Sequence, residues 1–497
     1  MRIAVNQHAL VLGAGASGAA CALFLHSRGW RVTVADTRPT PPDAMRLADS
    51  GADMELAFGR MDADLVDATV TLVVVSPGLS PEHSLAAAVC SEARARGIAV
   101  VGEIELFARE LKRLAAFRGY RPRVIGITGT NGKTTTTTIT GLMCRAAGAS
   151  VCVAGNIGPN ALTELTRHLE ANTLPDVWVL ELSSFQLETT ESLECTAAAL
   201  LNLTEDHVDW HGSMERYGAA KARIFAENTV RVLNRDDAFS ATLVRKDSTD
   251  RTFGDSVPEG SGAWGIDNDG RMEWLSFVPV RPRVETKAAR IAAEPEEVLR
   301  LMPVEALKIA GRHNAMNALA ALALIDAAGL SVARALTVLA TYRGEAHRVE
   351  KINTVDGVDY VDDSKGTNVG AVVAALEGFA KAGRTVHLIA GGDGKGQNFA
   401  PLAQSVARAC RTVALIGRDR ALIAEALAST GVKIEDCGTD FVRAVTVCRE
   451  AARAGDVVLL SPACASWDMF KSYAERSRLF IETVAGFEHA ADKGGAA

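Results

Sequence analysis

Short apolar runs that end in polar, glycine-containing loops recur along the chain. The run ALVLGAGASG begins at residue 9, and VIGITGTNGK repeats the pattern from residue 124. VWVLEL (177–182), TVHLIAGG and DVVLLSPA follow the same plan, and stretches with helical periodicity lie between them. Strands that alternate with helices indicate parallel, doubly wound sheets, so the pattern predicts an α/β fold.

Breaks in this pattern predict three domains. The first covers residues 1–112 and ends before a basic stretch, and the second covers residues 113–343. Within the second, residues 246–300 are richer in polar residues, Gly and Pro, which predicts a variable surface insertion or a small β excursion. The third covers residues 344–497, and we expect the tail after about residue 486 to be frayed.

Composition narrows the class of protein. The 497 residues are 48% hydrophobic and 23% charged, as is usual for soluble globular proteins. The net charge of −7 argues against a general nucleic-acid binder, which needs a basic surface. Nine scattered cysteines without a C-x-x-C pair fit reduced thiols. We expect neither a signal peptide nor a membrane span, because no apolar run reaches roughly 18 residues.

The first glycine loop has the spacing of a phosphate site. Gly13, Gly15 and Gly18 fill the G-x-G-x-x-G positions, and Asp36 follows in the next strand. Glycines allow a tight turn and close backbone approach to a phosphate, and the helix N-terminus favours the anion. A dinucleotide and another phosphorylated ligand fit this loop about equally well.

The second glycine loop predicts a Mg-nucleotide site, although its spacing is shifted by one. The usual pattern would place a glycine at residue 127, but the available ones are Gly126 and Gly129. Backbone N–H groups can surround phosphates there, while Lys133 neutralises their charge and Thr134 offers a hydroxyl to Mg²⁺. Glu181, at the end of VWVLEL, is a second candidate oxygen ligand. The alternative for Glu181 is a polar strand end.

His207 and His211 stand four residues apart in TEDHVDWH. A zinc pair is conceivable, but no third soft ligand is spaced nearby, and a structural or solvated role is more typical of each histidine. Lys221 has no role that composition reveals.

Cations and hydroxyls follow the strands of the third domain. Because ligands of parallel sheets lie beyond the carboxyl ends of the strands, these residues should share one cleft that takes an acidic substrate. The residues are Asp363, Lys365, Thr367, Asp393, Lys395 and Ser466.

Together these motifs resemble the Mur ligases, the ATP-dependent amino-acid ligases of peptidoglycan precursor synthesis. The loop GITGTNGKTTT is similar to that family's phosphate loop, which has the same shifted spacing. Within the family, the chain most resembles the members that add D-glutamate to UDP-N-acetylmuramoyl-L-alanine. The other stretches that carry the resemblance are DTRPTPP, SPGLSPEH, VGEIELF, GNIG, ELSSFQLETT, LNLTEDHVDWH, AHRVE, DDSKGTN, GGDGK and SPACASWDMFKSY.

The resemblance implies a Rossmann-like UDP-binding domain, a central P-loop ATPase domain and a C-terminal Rossmann-like domain that binds the amino acid. It implies an amide bond made through an acyl phosphate, with release of ADP and phosphate. The implied cofactors are ATP and two Mg²⁺ ions, with carbamylated Lys221 as an anionic metal ligand. The implied partners are UDP-N-acetylmuramoyl-L-alanine and D-glutamate, and we expect a cytoplasmic monomer.

The resemblance also implies roles for individual residues. The UDP-substrate site would be formed by Gly15, Ala16, Ser17, Gly18, Asp36, Thr37, Arg38, Ser76, Gly78 and Asn156. The ATP site would be formed by Thr128, Gly129, Thr130, Asn131, Gly132, Lys133, Thr134, Asn314, Asn317, Arg348 and Asp363. The metal ligands would be Thr134, Glu181, His207 and Lys221, with Lys133, His207 and Lys221 catalytic. The D-glutamate site would be formed by Lys365, Thr367, Lys395, Ser466 and Tyr473, the last being phenylalanine in some relatives.

Three other functions compete with this hypothesis. A sibling ligase would add a different amino acid, although SSFQLE and SPACASWDMF favour D-glutamate. An NAD-dependent oxidoreductase would explain the first glycine loop but leaves Lys133 and Glu181 unused. A binding or regulatory protein that has lost catalysis should lack a key residue, and none is missing.

Overall fold

The computed structural model describes residues 7–245, 249–280, 297–309 and 311–494, with side chains up to residue 487. These residues form two compact units. The N-terminal unit holds the residues up to 203 together with 210–307 and 316–341, and the C-terminal unit holds 204–209, 308–315 and the residues from 342 onward. Two sheets lie in the first unit and one in the second, so each predicted domain has its own sheet.

The first sheet has five parallel strands in the order β3-β2-β1-β4-β5. The strands are β1 His8–Leu12, β2 Arg31–Asp36, β3 Glu55–Phe58, β4 Val70–Val75 and β5 Ala99–Val101. The helices are α1 Ala16–Ser27, α2 Ala44–Asp49, α3 Ala87–Ala95 and α4 Glu103–Arg118, with a 3-10 turn at Ala63–Leu65. The strand order reverses beside β1, which places a topological switch point at the first glycine loop.

The central sheet has nine strands in the order β14-β13-β12-β11-β10-β9-β6-β8-β7. The strands are β6 Arg123–Thr128, β7 Val151–Gly155, β8 Val177–Glu181, β9 Ala197–Leu200, β10 Val230–Asn234, β11 Arg251–Phe253, β12 Ala263–Asn268, β13 Glu273–Phe277 and β14 Leu299–Pro303. Only β13 and β14 run antiparallel to their neighbours. The described part of 246–300 is therefore a β extension of this sheet, and Trp264 stacks on Phe277 within it.

Helices around the central sheet follow the parallel strands. They are α5 Lys133–Ala146, α6 Ala161–Glu170, α7 Ser184–Glu188, α8 Val208–His211, α9 Met214–Ala222, α10 Ala238–Thr242, α11 Arg312–Ala327 and α12 Val332–Leu339, with a 3-10 turn at Val304–Ala306. Helix α11 is apolar on nearly all sides, and residues 318–325 are completely buried. A helix with this composition belongs in a core.

The third sheet has six strands in the order β15-β16-β20-β17-β18-β19, of which only β15 is antiparallel. The strands are β15 Glu350–Val355, β16 Val358–Asp362, β17 Val386–Gly391, β18 Cys410–Ile416, β19 Lys433–Asp436 and β20 Val457–Leu460. The helices are α13 Val369–Lys381, α14 Leu402–Ala409, α15 Arg420–Leu427, α16 Phe441–Ala451 and α17 Tyr473–Gly494. The expectation of a frayed tail is wrong for residues 487–494, because they continue α17.

The first and central sheets share one hydrophobic cluster. Helix α4 joins them: the ring of Phe107 meets Trp178 edge to face, with centroids 5.0 Å apart. Two buried carboxylates of the same helix also reach the central domain. Glu103 accepts a hydrogen bond from the Leu162 N–H at 3.1 Å, and Glu105 accepts two at 2.8 Å from the backbone after α7. Buried carboxylates are tolerated only with such partners.

No helix within the described ranges is both long enough and apolar enough to cross a lipid bilayer.

Candidate active site

The first glycine loop is built for close backbone packing at the end of β1. A Cβ atom on Gly18 would overlap with the carbonyl oxygen of Gly13, whose φ of +92° suits glycine. The Ser76 hydroxyl, at the end of β4, donates to that carbonyl at 3.1 Å. Gly15 caps α1 and has open space around its Cα. This arrangement leaves the N-terminus of α1 accessible to a phosphate.

The carboxylate of Asp36 fastens the end of β2 to this loop. It accepts a hydrogen bond from the Ala14 N–H at 2.8 Å and two from the Arg38 guanidinium at 2.7 and 2.9 Å. Burial alone would raise the pKa of Asp36, but these hydrogen bonds outweigh it and lower the pKa to about 2. Asp36 is therefore a stable anion that orients Arg38.

The remaining predicted UDP-site residues lie at the same edge of the first sheet or face the central domain. The Ser17 hydroxyl accepts a hydrogen bond from the Asn160 amide at 3.0 Å, and that amide also contacts Glu103. The exposed predicted residues are Ala16, Thr37, Arg38, Gly78 and Asn156. Of these, Asn156 follows β7 of the central sheet, and the other four belong to the first domain.

The second glycine loop joins β6 to α5. Gly129 and Gly132 have φ values of +155° and +82°, which suit glycine. The Lys133 ammonium folds back over the loop and donates to the carbonyls of Gly129 at 2.8 Å and Thr130 at 2.9 Å. A Cβ atom on Gly132 would overlap with the Asn317 side chain from α11. The loop is held in a phosphate-loop conformation with its lysine over it.

Other predicted ATP-site residues surround this loop. The Asn131 N–H donates to the Asn202 side chain at 2.8 Å, and the Thr136 hydroxyl contacts Asn317 at 3.4 Å. Thr134 lies in the first turn of α5 and is buried.

Two buried oxygens without partners point to a cation beside the loop. Glu181 ends β8 and is 2% exposed; its Oε1 accepts a hydrogen bond from Asn156 at 2.7 Å. Within the part of the chain that the structure describes, the Glu181 Oε2 and the Thr128 hydroxyl have no hydrogen-bond partner. Thr128 ends the neighbouring strand β6. Because a buried carboxylate oxygen is costly without a partner, these residues fit a hard cation such as Mg²⁺.

Gly155, the last residue of β7, allows the end of that strand to lie close to Glu181. Its φ is +103°, and a Cβ atom there would overlap with the carbonyl oxygen of Glu181. The Asn156 N–H donates to that same carbonyl at 2.8 Å. The end of β7 can therefore lie against Glu181 only because residue 155 has no side chain.

Gly155→Ala should lower the unfolding free energy by about 3 kcal/mol, since it adds a backbone clash to an unfavourable φ. Gly97→Ala is the matched control, because Gly97 also has positive φ (+71°) but has open space around it. The control should lose only about 1 kcal/mol. Thermal melting of both variants checks the difference, and equal melting temperatures would contradict the close approach.

Lys221 is buried beside the loop, at 1% exposure. Its ammonium donates to the Gly129 carbonyl at 2.8 Å and lies 4.5 Å from the centre of the Tyr217 ring. The Tyr217 hydroxyl is 3.1 Å from that of Thr130. Sequence reasoning missed Tyr217, which connects Lys221 to the loop, because its position one helical turn before Lys221 carries no signal by itself.

His211 fits the structural role rather than a metal site. Its Nε2 is 2.9 Å from the Ser184 hydroxyl, and its ring packs among Phe185, Trp210 and Tyr217. Burial lowers its pKa to about 4, with a smaller contribution from Lys221. His211 is therefore a neutral histidine in an aromatic cluster at neutral pH.

The C-terminal unit holds the remaining predicted residues, beginning with His207. His207 has a φ of +54°, and its Nε2 is 3.4 Å from the Asp206 carboxylate. The Lys395 ammonium forms an ion pair with Asp206 at 2.9 Å, and Lys395 itself has a φ of +52°. Sequence reasoning missed Asp206 as a partner of Lys395, because 189 residues separate them.

Asp363 lies at the end of β16 with a fully enclosed carboxyl group. It accepts hydrogen bonds from the Ser461 hydroxyl at 2.6 Å and the Val349 N–H at 3.3 Å. Burial raises its pKa to about 7, although Ser461 and the charge of Arg348 oppose the change. The preceding residue, Asp362, contacts His347 at 2.7 Å. Arg348 and Asp363 thus lie in one network, and Asn314 lies in the first turn of α11.

The residues predicted for the amino acid come from three loops of the third sheet. The Lys365 ammonium lies 5.4 Å from the centre of the Tyr473 ring, which is 39% exposed. Ser466 is buried, and its carbonyl accepts a hydrogen bond from Phe470 at 2.7 Å. Thr367 closes the loop after β16. These positions combine two cations with hydroxyl groups, as an acidic ligand requires.

The chain matches profiles of known protein families along most of its length. Residues 7–102 match the Mur ligase MurD-like N-terminal domain, residues 127–325 the Mur ligase middle domain, and residues 347–464 the Mur ligase glutamate ligase domain. The UDP-N-acetylmuramoylalanine--D-glutamate ligases of Burkholderia pseudomallei (strain 668) and Burkholderia mallei (strain SAVP1) are both 52% identical over 488 residues, which is 96% of each chain.

Solved structures share the fold at much lower identity. A pseudomurein peptide ligase type C from Methanothermus fervidus gives a TM-score of 0.54 at 17% identity, covering 96% of this chain and 100% of that one. MurF from Acinetobacter baumannii gives 0.55 at 18% identity, covering 85% and 93%.

Proposed function

Because this chain belongs to the Mur ligase family, we propose that it joins D-glutamate to UDP-N-acetylmuramoyl-L-alanine while ATP is converted to ADP and phosphate. The observation that carries the choice of substrates is the 52% identity to ligases of that name over 96% of the chain. The chemistry is supported by the lysine-capped loop beside the partnerless Glu181 oxygen.

The first domain would hold the UDP-substrate at the α1 N-terminus. The open space at Gly15 suits a diphosphate, and Arg38, oriented by Asp36, would lie beside the uridine. Asn156, which contacts Glu181, would bind near the muramyl peptide end. The further residues that we assign to this site are Ala16, Ser17, Gly18, Thr37, Ser76 and Gly78.

Lys133 would carry the activation step. A carboxylate is a poor electrophile, so the L-alanine carboxylate must attack the γ-phosphate of ATP to form an acyl phosphate. Negative charge collects on the transferred phosphoryl oxygens, and the Lys133 ammonium, released from its two loop carbonyls, would neutralise it. The further residues that we assign to ATP are Thr128, Gly129, Thr130, Asn131, Gly132, Thr134, Asn314, Asn317, Arg348 and Asp363.

The residues that would hold Mg²⁺ are Thr134, Glu181, His207 and a carbamylated Lys221, and we propose two ions. Bound Mg²⁺ supplies charge neutralisation at the phosphates. Glu181 offers a buried carboxylate with one oxygen already fixed by Asn156. A carbamate on Lys221 would replace a buried cation by an anion at the same place.

The C-terminal unit would bind D-glutamate. Lys365 and Lys395 would attract its carboxylates, and Thr367 and Ser466 would donate hydrogen bonds to them, with Tyr473 at the rim. The substrate amine then attacks the acyl carbon, and the tetrahedral intermediate expels phosphate. Water must be kept out during this step, because an acyl phosphate hydrolyses.

We also propose that the domains cover residues 1–112, 113–343 and 344–497, and that the protein is a cytoplasmic monomer.

Phosphate release by the purified protein tests this function. We expect release only when ATP, Mg²⁺, UDP-N-acetylmuramoyl-L-alanine and D-glutamate are all present. L-Glutamate is the matched control, since it has the same charge and the opposite hand, and D-alanine tests the need for a second carboxylate. Release with another amino acid would favour a sibling ligase. Release without any amino acid, or NAD reduction without ADP, would overturn the proposal.

A further inference from the structure

Arg476 is a buried cation that the function described so far does not use. It lies in the first turn of α17 and is 1% exposed. One terminal nitrogen donates to the Ser364 carbonyl at 3.0 Å and the other to the Cys464 carbonyl at 3.2 Å. Within the described residues, its Nε has no hydrogen-bond partner. Its contacts are therefore main-chain oxygens of two separate loops.

Stability alone does not explain an arginine here. Burial of a guanidinium is costly, and it lowers the pKa of Arg476 to about 10, so the group stays charged at neutral pH. An apolar side chain of similar volume would fill the space without this desolvation. The arginine must therefore supply something that an apolar residue does not.

The two loops are those that carry the acidic-ligand residues. Ser364 immediately precedes Lys365, and Cys464 stands two residues before Ser466. A guanidinium is planar and its donors have fixed directions, so a single group that bonds to both carbonyls fixes the distance between the loops. A lysine ammonium could keep the charge, but it is a point donor on a flexible stem.

The next residue of α17, Ser477, forms a hydrogen bond with the end of strand β16. The Ser477 hydroxyl donates to the Asp362 carboxylate at 2.5 Å, and the Ser364 hydroxyl also donates to Asp362. The start of α17, which presents Tyr473, is thus tied to the loop after β16 at two adjacent positions. Arg476 also bonds to the loop after β20, which the Ser461 hydroxyl and the Ala463 N–H already join directly to the loop after β16.

We propose that Arg476 is a positioning residue for the amino-acid site: its guanidinium adds to the direct hydrogen bonds between the two loops and holds loop 364–367 at a fixed spacing from loop 461–468. The inference rests on the proposed function, which assigns these loops to D-glutamate. Arg476 itself contacts no substrate. Its loss weakens binding of the acidic substrate and leaves the ATP loop, in the other compact unit, unchanged.

Arg476→Lys and Arg476→Met test this role by steady-state kinetics. We expect the KM for D-glutamate to rise between roughly 10-fold and 100-fold, with less than about a threefold change in kcat. Arg478→Met is the matched control, because Arg478 is exposed on the same helix and pairs with Glu482 at 2.9 Å. An unchanged KM for D-glutamate in either folded variant would overturn the proposal.

Amide hydrogen exchange gives a second measurement that does not depend on the reaction. Exchange in peptides covering residues 362–367 and 461–468 should become faster in Arg476→Lys and stay unchanged in Arg478→Met. If the wild-type protein fails to turn over D-glutamate, the proposed function fails while this measurement still reports on positioning. Uniformly faster exchange over the whole C-terminal unit, or loss of folding in both Arg476 variants, would show a general structural role and refute positioning.

Discussion

Lys133→Ala should reduce ATP-dependent phosphate release by roughly 1,000-fold or more, because it removes the cation that we propose for stabilising charge on the transferred phosphoryl group. The size of the loss follows from the enclosed position of the loop, where an electrostatic interaction is stronger than in water. In the structure the ammonium donates to two carbonyls of the loop, and it would leave them to contact the phosphates. Phosphate release under saturating substrates checks the effect.

The matched control for this variant is Lys112→Ala. Lys112 is half exposed and forms an ion pair with Glu194 at 2.8 Å on the protein surface. A surface pair of this kind contributes little, so activity should stay close to that of the wild type. Thermal melting separates a catalytic loss from an unfolded loop. Lys133→Ala that melts normally and retains more than a tenth of the activity would contradict the assignment of Lys133.

Lys221→Ala should also lose activity by roughly 100-fold or more, and added acetate or propionate should restore part of it. The proposed carbamate would be an anion at the end of a buried side chain, and truncation leaves space beside Gly129 and Tyr217 for a small carboxylate. Cations of the same size should not rescue the variant. The measurement is phosphate release over a range of carboxylate concentrations.

Lys221→Arg distinguishes a carbamate from a plain cation. Arginine keeps the positive charge and a comparable length, but its guanidinium does not take up carbon dioxide. If the cation were the active form, Lys221→Arg would retain activity; the carbamate hypothesis requires that it does not. Carbon-13 NMR in labelled bicarbonate provides a readout apart from activity. A signal from the carbamate carbon should appear in the wild-type protein and be absent from both Lys221 variants.

The parts of the fold that the sequence could predict are those with local signals. VWVLEL is apolar except for Glu181, and β8 Val177–Glu181 is completely buried. The loop that begins at Gly129 follows the neighbouring strand β6, whose residues 124–128 are also buried, so the phosphate loop and the carboxylate at the next strand end could be placed together. Periodicity is sufficient here because parallel strands buried on both faces are uniformly apolar.

Short strands and the chain end were harder to predict. Strand β11 has only three residues, and β13 and the edge strand β14 are partly exposed and of mixed polar composition. Such segments owe their conformation to pairing with neighbours rather than to local preference. The extension of α17 beyond residue 486 likewise has no strong local signal, since its sequence FEHAADKG has no repeated apolar spacing.

The long-range polar contacts could not be predicted at all. Asp206 and Lys395 meet across 189 residues, and Arg476 reaches Ser364 across 112. A charged residue in a polar stretch looks like a solvated one until the fold shows what surrounds it. The role proposed for Lys221 came only from family resemblance, for the same reason.

The joint hydrophobic cluster under helix α4 bears on how the protein can be divided for biochemical work. A fragment that begins at residue 113 would lose Phe107 from the face of Trp178 and remove the acceptor that Glu105 offers to two backbone N–H groups. The complementary fragment would expose the apolar side of α4 to water. We therefore expect that neither the first nor the central domain folds stably when it is produced alone.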